Sequence, residues 1–178
     1  FDHDSPSIFQ RQIDFIQASG ITTAMVGLLQ AIKGTRLYER MKREHRLRAE
    51  SSGNNVATYS NFVPVMDEMV LRQGYGDVLR TIYSPPGYYQ RLRTFLRQYR
   101  VPRIRQGVTL RDLQAFVRAN LMLGVIGRER LEYWRLLLWT MFRRPRLLPT
   151  AVYLAVIGHH YRQICKEYLR RLRAEAAA

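Results

Sequence analysis

Ile21–Arg40, ITTAMVGLLQAIKGTRLYER, opens on a dense apolar run and ends on an amphipathic one. It reads as a strand, then a turn at Lys33-Gly34-Thr35, then a helix from Arg36 onward, with another helix over Pro6–Ser19 ahead of it. A strand flanked by helices is the repeat unit of a parallel α/β sheet. One strand cannot make a sheet, so the pattern predicts a helix–strand–helix element left from a larger α/β protein. The edge of such a strand is unpaired. It should pair with a second copy in a homodimer, be covered by helices, or lack order.

From Asp67 the period becomes helical. Asp67 is a good N-cap, and Leu71, Tyr75, Val78, Leu79 and Ile82 follow at helical spacing. Ser84-Pro85-Pro86-Gly87 stops that helix and prepares the next. There Tyr88, Leu92, Phe95, Leu96 and Tyr99 form one face, and Arg91, Arg93, Arg97 and Arg100 lie off it. Thr109 and Asp112 resemble a capping box ahead of a helix over Leu110–Ile126. Gly127 is placed to end that helix in the left-handed region, and Arg128–Phe142 begins another. Pro149 suits the first turn of a last helix running to Arg173. In that helix Ile157, Tyr161, Ile164, Cys165, Tyr168 and Leu172 share a face, and Arg162, Lys166 and Arg170 lie on another.

Composition narrows the class. With 178 residues, 47% of them hydrophobic, the chain can build one domain with a real core. Its single cysteine, Cys165, excludes an internal disulfide and suits a reducing, cytoplasmic setting. Phe1–Ser5 is acidic and polar, unlike a secretory leader. The longest apolar run, Leu147–Gly158, contains Pro149 and is shorter than the roughly 20 residues a spanning helix needs.

The net charge of +15 is unevenly placed. Residues 1–70 hold 8 basic and 8 acidic side chains; residues 71–178 hold 21 and 6, and only Lys166 among those 21 is not arginine. Nucleic acid is the default partner of so basic a chain. Yet the arginines are spread over several helices with no recognised binding motif, which argues against it. An anionic membrane surface is equally served by basic helices bearing Tyr and Trp, with Arg162, Lys166 and Arg170 as the face and a peripheral place at the inner membrane. A solvated arginine face needs no partner at all.

Candidate chemistry is sparse. His159-His160 near Cys165 suggests a metal, but His160 and Cys165 are about 140° apart around a helix, which is poor for shared ligation; no metal is expected. Asp2 and Asp4 could be paired carboxylates, though Asp4-Ser5-Pro6 is more simply a helix start. Ser51–Asn55, SSGNN, is either a turn with Gly53 or Asn54 at positive φ or a loop touching substrate.

The ordered set of motifs resembles a known family. FDHDSPSIFQRQIDFIQASGI, GTRLYERMKREHRL, SSGNN, NFVP at Asn61–Pro64, LRQGYGDVLRTIYSPPGYYQR at Leu71–Arg91 and RRPRLLPTAVYLAVIGHHYR at Arg143–Arg162 run in order through nearly the whole chain. Together they are similar to the closing section of radical S-adenosylmethionine enzymes of the cobalamin-binding branch, which carry a helical C-terminal domain of unknown function. Ile32-Lys33-Gly34-Thr35 departs from the pattern, where the family usually has Pro before Gly-Thr.

The resemblance implies a mainly α fold. A terminal βα element of a partial (β/α) barrel would occupy residues 1–50, a linker 51–66, and a basic, bundle-like accessory domain 67–178. It implies a parent that is a methylase or C–C bond-forming enzyme holding a [4Fe–4S] cluster, S-adenosylmethionine and cobalamin. The cysteine ligands of such a cluster are absent here, so this chain by itself would hold no cofactor and catalyse nothing. It would instead cap the active site or touch substrate, with the upstream domains of the same chain as partners. The strand would meet the adenine through Leu28, Leu29 and Gln30, and Gly53, Asn54 and Asn55 would face substrate. The alternative is a basic helical module that binds nucleic acid, an anionic membrane or a protein.

Overall fold

The computed structural model describes residues 2–51, 59–100 and 110–177. Among these it is mainly helical: α1 (Ser7–Ser19), α2 (Arg36–Arg43), α3 (Glu68–Ile82), α4 (Pro85–Gln98), α5 (Leu110–Ala119), α6 (Arg130–Arg143) and α7 (Leu148–Ala177). A π-helical turn, Asn120–Ile126, continues α5, and a 3₁₀ turn, Pro145–Leu147, precedes α7. The expected strand is not formed. Residues 21–32 are irregular, and the pairing among the described residues is a single antiparallel bridge, Leu47 with Phe62. A helix–strand–helix element and a partial barrel are therefore not seen.

Several local expectations have clear causes. The Asp67 carboxylate accepts from Met69 N at 2.9 Å and Val70 N at 3.0 Å, capping α3. Ser84 accepts from Gly87 N at 3.2 Å with proline in the first turn of α4. Thr35 caps α2 through Tyr38 N at 3.2 Å. Gly127 differs: it is extended (φ −66°, ψ 140°), not left-handed. A Cβ there would come within 2.9 Å of the Leu123 carbonyl, so close approach, not positive φ, is what calls for glycine.

The chain divides into two compact units. The first comprises Phe1–Asp14, Met25–Thr81 and Cys165–Ala178. One core within it gathers Ala31, Tyr38, Met41 and Phe62, with Leu37 and Leu47 packed against them. The Phe9 ring lies over Gly74, where any Cβ would collide with it. Tyr75 meets Tyr168 edge-on with ring centres 5.0 Å apart.

The second unit comprises Phe15–Ala24 and Ile82–Ile164. Tyr88, fully buried, is its centre: the ring stacks on Tyr83, and its hydroxyl donates to the Leu154 carbonyl at 2.7 Å. Gly158 lets α7 reach this ring, since a Cβ there would overlap it. Tyr83 stacks in turn on Tyr161, centres 5.4 Å apart. Gly20 ends α1 with φ +70°, pressed against Thr94 and Phe95 of α4.

Candidate functional site

The irregular segment of the first unit, Met25–Ile32, is held by side chains rather than by a neighbouring strand. Tyr75 donates to the Val26 carbonyl at 2.8 Å and Ser60 to the Leu29 carbonyl at 2.6 Å. Asn61 accepts from Ala31 N at 2.7 Å and donates to Ala31 O at 2.9 Å and Ala49 O at 3.1 Å. The Gln30 amide donates to Tyr59 O at 2.7 Å. Among the described residues, residues 25–31 make no backbone-to-backbone hydrogen bond to another segment. Exposure alternates along it: Met25, Gly27 and Leu29 face out, and Val26, Leu28 and Gln30 are half-buried. Period two is the signature of extended chain. The segment has a strand's alternation without a strand's partner.

Leu28, Leu29 and Gln30 fall inside this segment. Leu28 helps to wall a pocket of about 10 Å³ with Arg48, Tyr59, Ser60, Glu68 and Arg72, room for about one water. The Gln30 side chain and the Leu29 carbonyl are engaged within the chain. Gly53, Asn54 and Asn55 lie outside the described residues. Tyr75 is pushed up to about 12, first by burial and then by Cys165 beside it.

Asp2 is an ion-pair residue. It meets Arg40 at 2.5 Å and Arg46 at 3.1 Å, and the Arg46 hydrogen bond leads in holding its carboxyl below the usual range, against an opposing effect of burial. Asp4 is exposed ahead of α1.

In the second unit the main polar group is one that periodicity assigned to the surface. Arg162 is only 7% exposed. Its Nε donates to Tyr83 O at 3.1 Å, and its guanidinium meets Glu129 at 2.5 Å. It therefore cannot be part of an anionic docking face; Lys166 and Arg170, in the first unit, are exposed. The reason lies in the stripe Ala151, Ala155, Gly158, Arg162, which is the buried face of α7 here. Glu129 also takes the His159 ring at 2.6 Å. Burial pushes the Glu129 carboxyl up, but the His159 hydrogen bond and the Arg162 charge outweigh it and leave it below the usual range.

Arg91, expected off the apolar face, is fully buried as well. Its Nε donates to Ile21 O at 3.0 Å, and its terminal nitrogen to Gln17 Oε1 at 2.7 Å and Ile82 O at 2.5 Å. The guanidinium lies 5.4 Å from the Tyr88 ring centre and 5.8 Å from that of Tyr83. No carboxylate among the described residues pairs with it. Burial lowers its proton affinity, while the two tyrosines act the other way. Tyr83 donates to the Ala24 carbonyl at 2.8 Å, so this unit too fastens irregular chain with side chains.

Sequence reasoning missed Asn61, Tyr75, Arg91 and Glu129 as organising residues. The first three were in view inside NFVP and the Leu71–Arg91 motif. Tyr75 was read on the apolar face, but the burial of Asn61 and Arg91 was hidden because hydropathy puts Asn and Arg outside. Among the described residues no group of three or more His, Cys, Asp or Glu is placed to hold a metal.

A family model described as a domain of unknown function, DUF4070, matches residues 35–174. The chain belongs to this family. A Synechocystis protein (strain ATCC 27184 / PCC 6803 / Kazusa) named as an uncharacterized methyltransferase is 29% identical over 175 residues, which is 94% of this chain and 32% of that protein. The hopanoid C-2 methylase of Rhodopseudomonas palustris (strain TIE-1) is 23% identical over 167 residues, 89% of this chain and 30% of the methylase. The chain thus spans about a third of the length of these curated relatives. No solved structure matches it.

Proposed function

We propose that the chain is the C-terminal domain of a methylating radical S-adenosylmethionine enzyme. Two relatives named for methyl transfer support this, as does their alignment with most of this chain over about a third of their own length. The observation that carries the reading is the segment Met25–Ala31. It alternates as a strand does, yet lacks a ladder partner among the described residues. An upstream strand would complete it, bringing the backbone groups of Leu28 and Gln30 to the mouth of a barrel.

This chain's own residues do not fit an iron–sulfur cluster. Its one cysteine, Cys165, is buried beside Tyr75, and such clusters need several thiolates. The ligands would come from upstream sequence. The domain's part would be to close the site or hold substrate.

Anaerobic reconstitution tests this. The full-length protein should take up iron and labile sulfide stoichiometrically and cleave S-adenosylmethionine reductively, while the 178-residue chain should do neither. A full-length protein without iron would sink the reading.

A further inference from the structure

Between α5 with its π-turn and α6, the second unit carries an open groove of about 420 Å³ walled by Phe116, Val117, Leu121, Val125, Trp134 and Leu138. Among the described residues, the polar side chains at the groove are engaged within the chain. The Trp134 indole donates to Gly124 O at 3.0 Å, and the Asn120 amide donates to Phe116 O at 2.8 Å and accepts from Tyr133 at 3.3 Å. Apolar exposure continues on the same elements, with Leu110 and Ile126 each 80% exposed and Phe142 78%. The groove wall itself is contiguous apolar surface, and such surface marks an interaction site.

Charge indicates the occupant. Residues 113–147 hold seven arginines and two glutamates. Both glutamates are engaged: Glu129 with Arg162 and His159, and Glu132 with Arg93 and Arg135. Arg118, Arg128, Arg130, Arg143 and Arg146 are exposed, and no carboxylate among the described residues pairs with them. Apolar surface whose described polar groups are engaged, on elements whose fully exposed described charges are arginines, complements hydrocarbon beneath a layer of anionic headgroups. None of the described helices is long and apolar enough to cross a membrane, so the contact would lie along the surface.

We propose that the α5–α6 groove docks the protein on an anionic bilayer, with acyl chains in the groove and lipid phosphates on the arginines. The proposal does not depend on the methylase reading.

Sedimentation with phosphatidylglycerol vesicles and with phosphatidylcholine vesicles tests it, using both the 178-residue chain and the full-length protein. Binding should be confined to phosphatidylglycerol and should weaken as salt is raised. The double variant Val125→Glu/Ile126→Glu changes two exposed side chains, so its circular dichroism should match the parent while its affinity falls at least tenfold. Each of Arg118→Gln and Arg130→Gln, the latter one turn before Trp134 on the groove side of α6, should cost about fivefold. Three results would overturn the proposal: no sedimentation with phosphatidylglycerol, a double variant that binds as the parent does, or duplex DNA bound more tightly than vesicles in the same buffer. Vesicle binding by the full-length protein that the double variant leaves unchanged would overturn it as well, because the groove would then face the rest of the chain.

Discussion

The side-chain amide of Asn61 holds both backbone groups of Ala31, accepting from its N–H at 2.7 Å and donating to its C=O at 2.9 Å. A strand partner would offer the same pair of contacts, so a side chain here replaces a ladder rung. Both residues are almost fully buried. Asn61→Ala should leave the two backbone groups without partners and destabilise the fold by about 1–3 kcal/mol. Urea denaturation followed by circular dichroism measures this; an unchanged midpoint would remove Asn61 from its role.

Arg91 ties Ile21, Gln17 and Ile82 together with one guanidinium. Arg91→Met keeps the bulk and loses the fork, leaving two backbone carbonyls short of a donor. The expected loss is on the order of 2–4 kcal/mol. Arg91→Lys should not restore it, because an ammonium cannot span those acceptors as a planar fork does. Equal stability of the lysine variant and the parent would show that charge, not geometry, is what matters.

Gly158 faces the Tyr88 ring with no room for a Cβ. Gly158→Ala raises helix propensity, which alone would stabilise by up to about 1 kcal/mol. Overpacking against a fully buried ring costs about 1–3 kcal/mol and should win. Thermal unfolding should therefore show a lower midpoint for this variant. The double variant Gly158→Ala/Tyr88→Phe should not recover it, since the ring remains.

Acid should weaken the fold through Glu129 and Asp2. Both carboxyls titrate below their usual values in the folded chain. The folded state therefore binds fewer protons than the unfolded one across that window, and stability rises with pH there. The contribution is fully present above the unfolded carboxylate value and is lost as pH falls through the folded values. Denaturation midpoints measured from about pH 6 down to about pH 3 should fall. The slope should be shallower in Glu129→Gln, and an identical slope would mean that Glu129 takes no part.

The helices were legible because their caps are local chemistry. Asp67, Ser84 and the prolines after it act within one turn of their own position. Arg91 and Arg162 were not legible, because their burial depends on carbonyls and rings distant in sequence: Ile21 for one, Tyr83 for the other. The segment after Gly20 was readable as extended chain with an unpaired edge, but not as chain fastened by side chains. Its hydrophobicity states what it can bury, and nothing local states that Tyr75, Ser60 and Asn61 will take its carbonyls. At Gly127 the residue type was informative and the mechanism inferred from it was not: a crowded carbonyl and a left-handed φ both select glycine. Ser60 lies just ahead of the motif NFVP, Asn61 opens it, and Arg91 closes the Leu71–Arg91 motif. These motifs thus hold the scaffold's buried hydrogen bonds, whatever chemistry the family performs.

Cys165 is the chain's sole thiol and is 7% exposed on α7. A sulfhydryl reagent therefore has one target, which it can reach only when that turn of the helix opens. Under conditions where reclosing outruns labelling, the modification rate divided by the rate of an unstructured thiol gives the opening equilibrium directly. The molecule thus carries its own residue-specific clock, able to time fluctuations of this helix without any introduced probe.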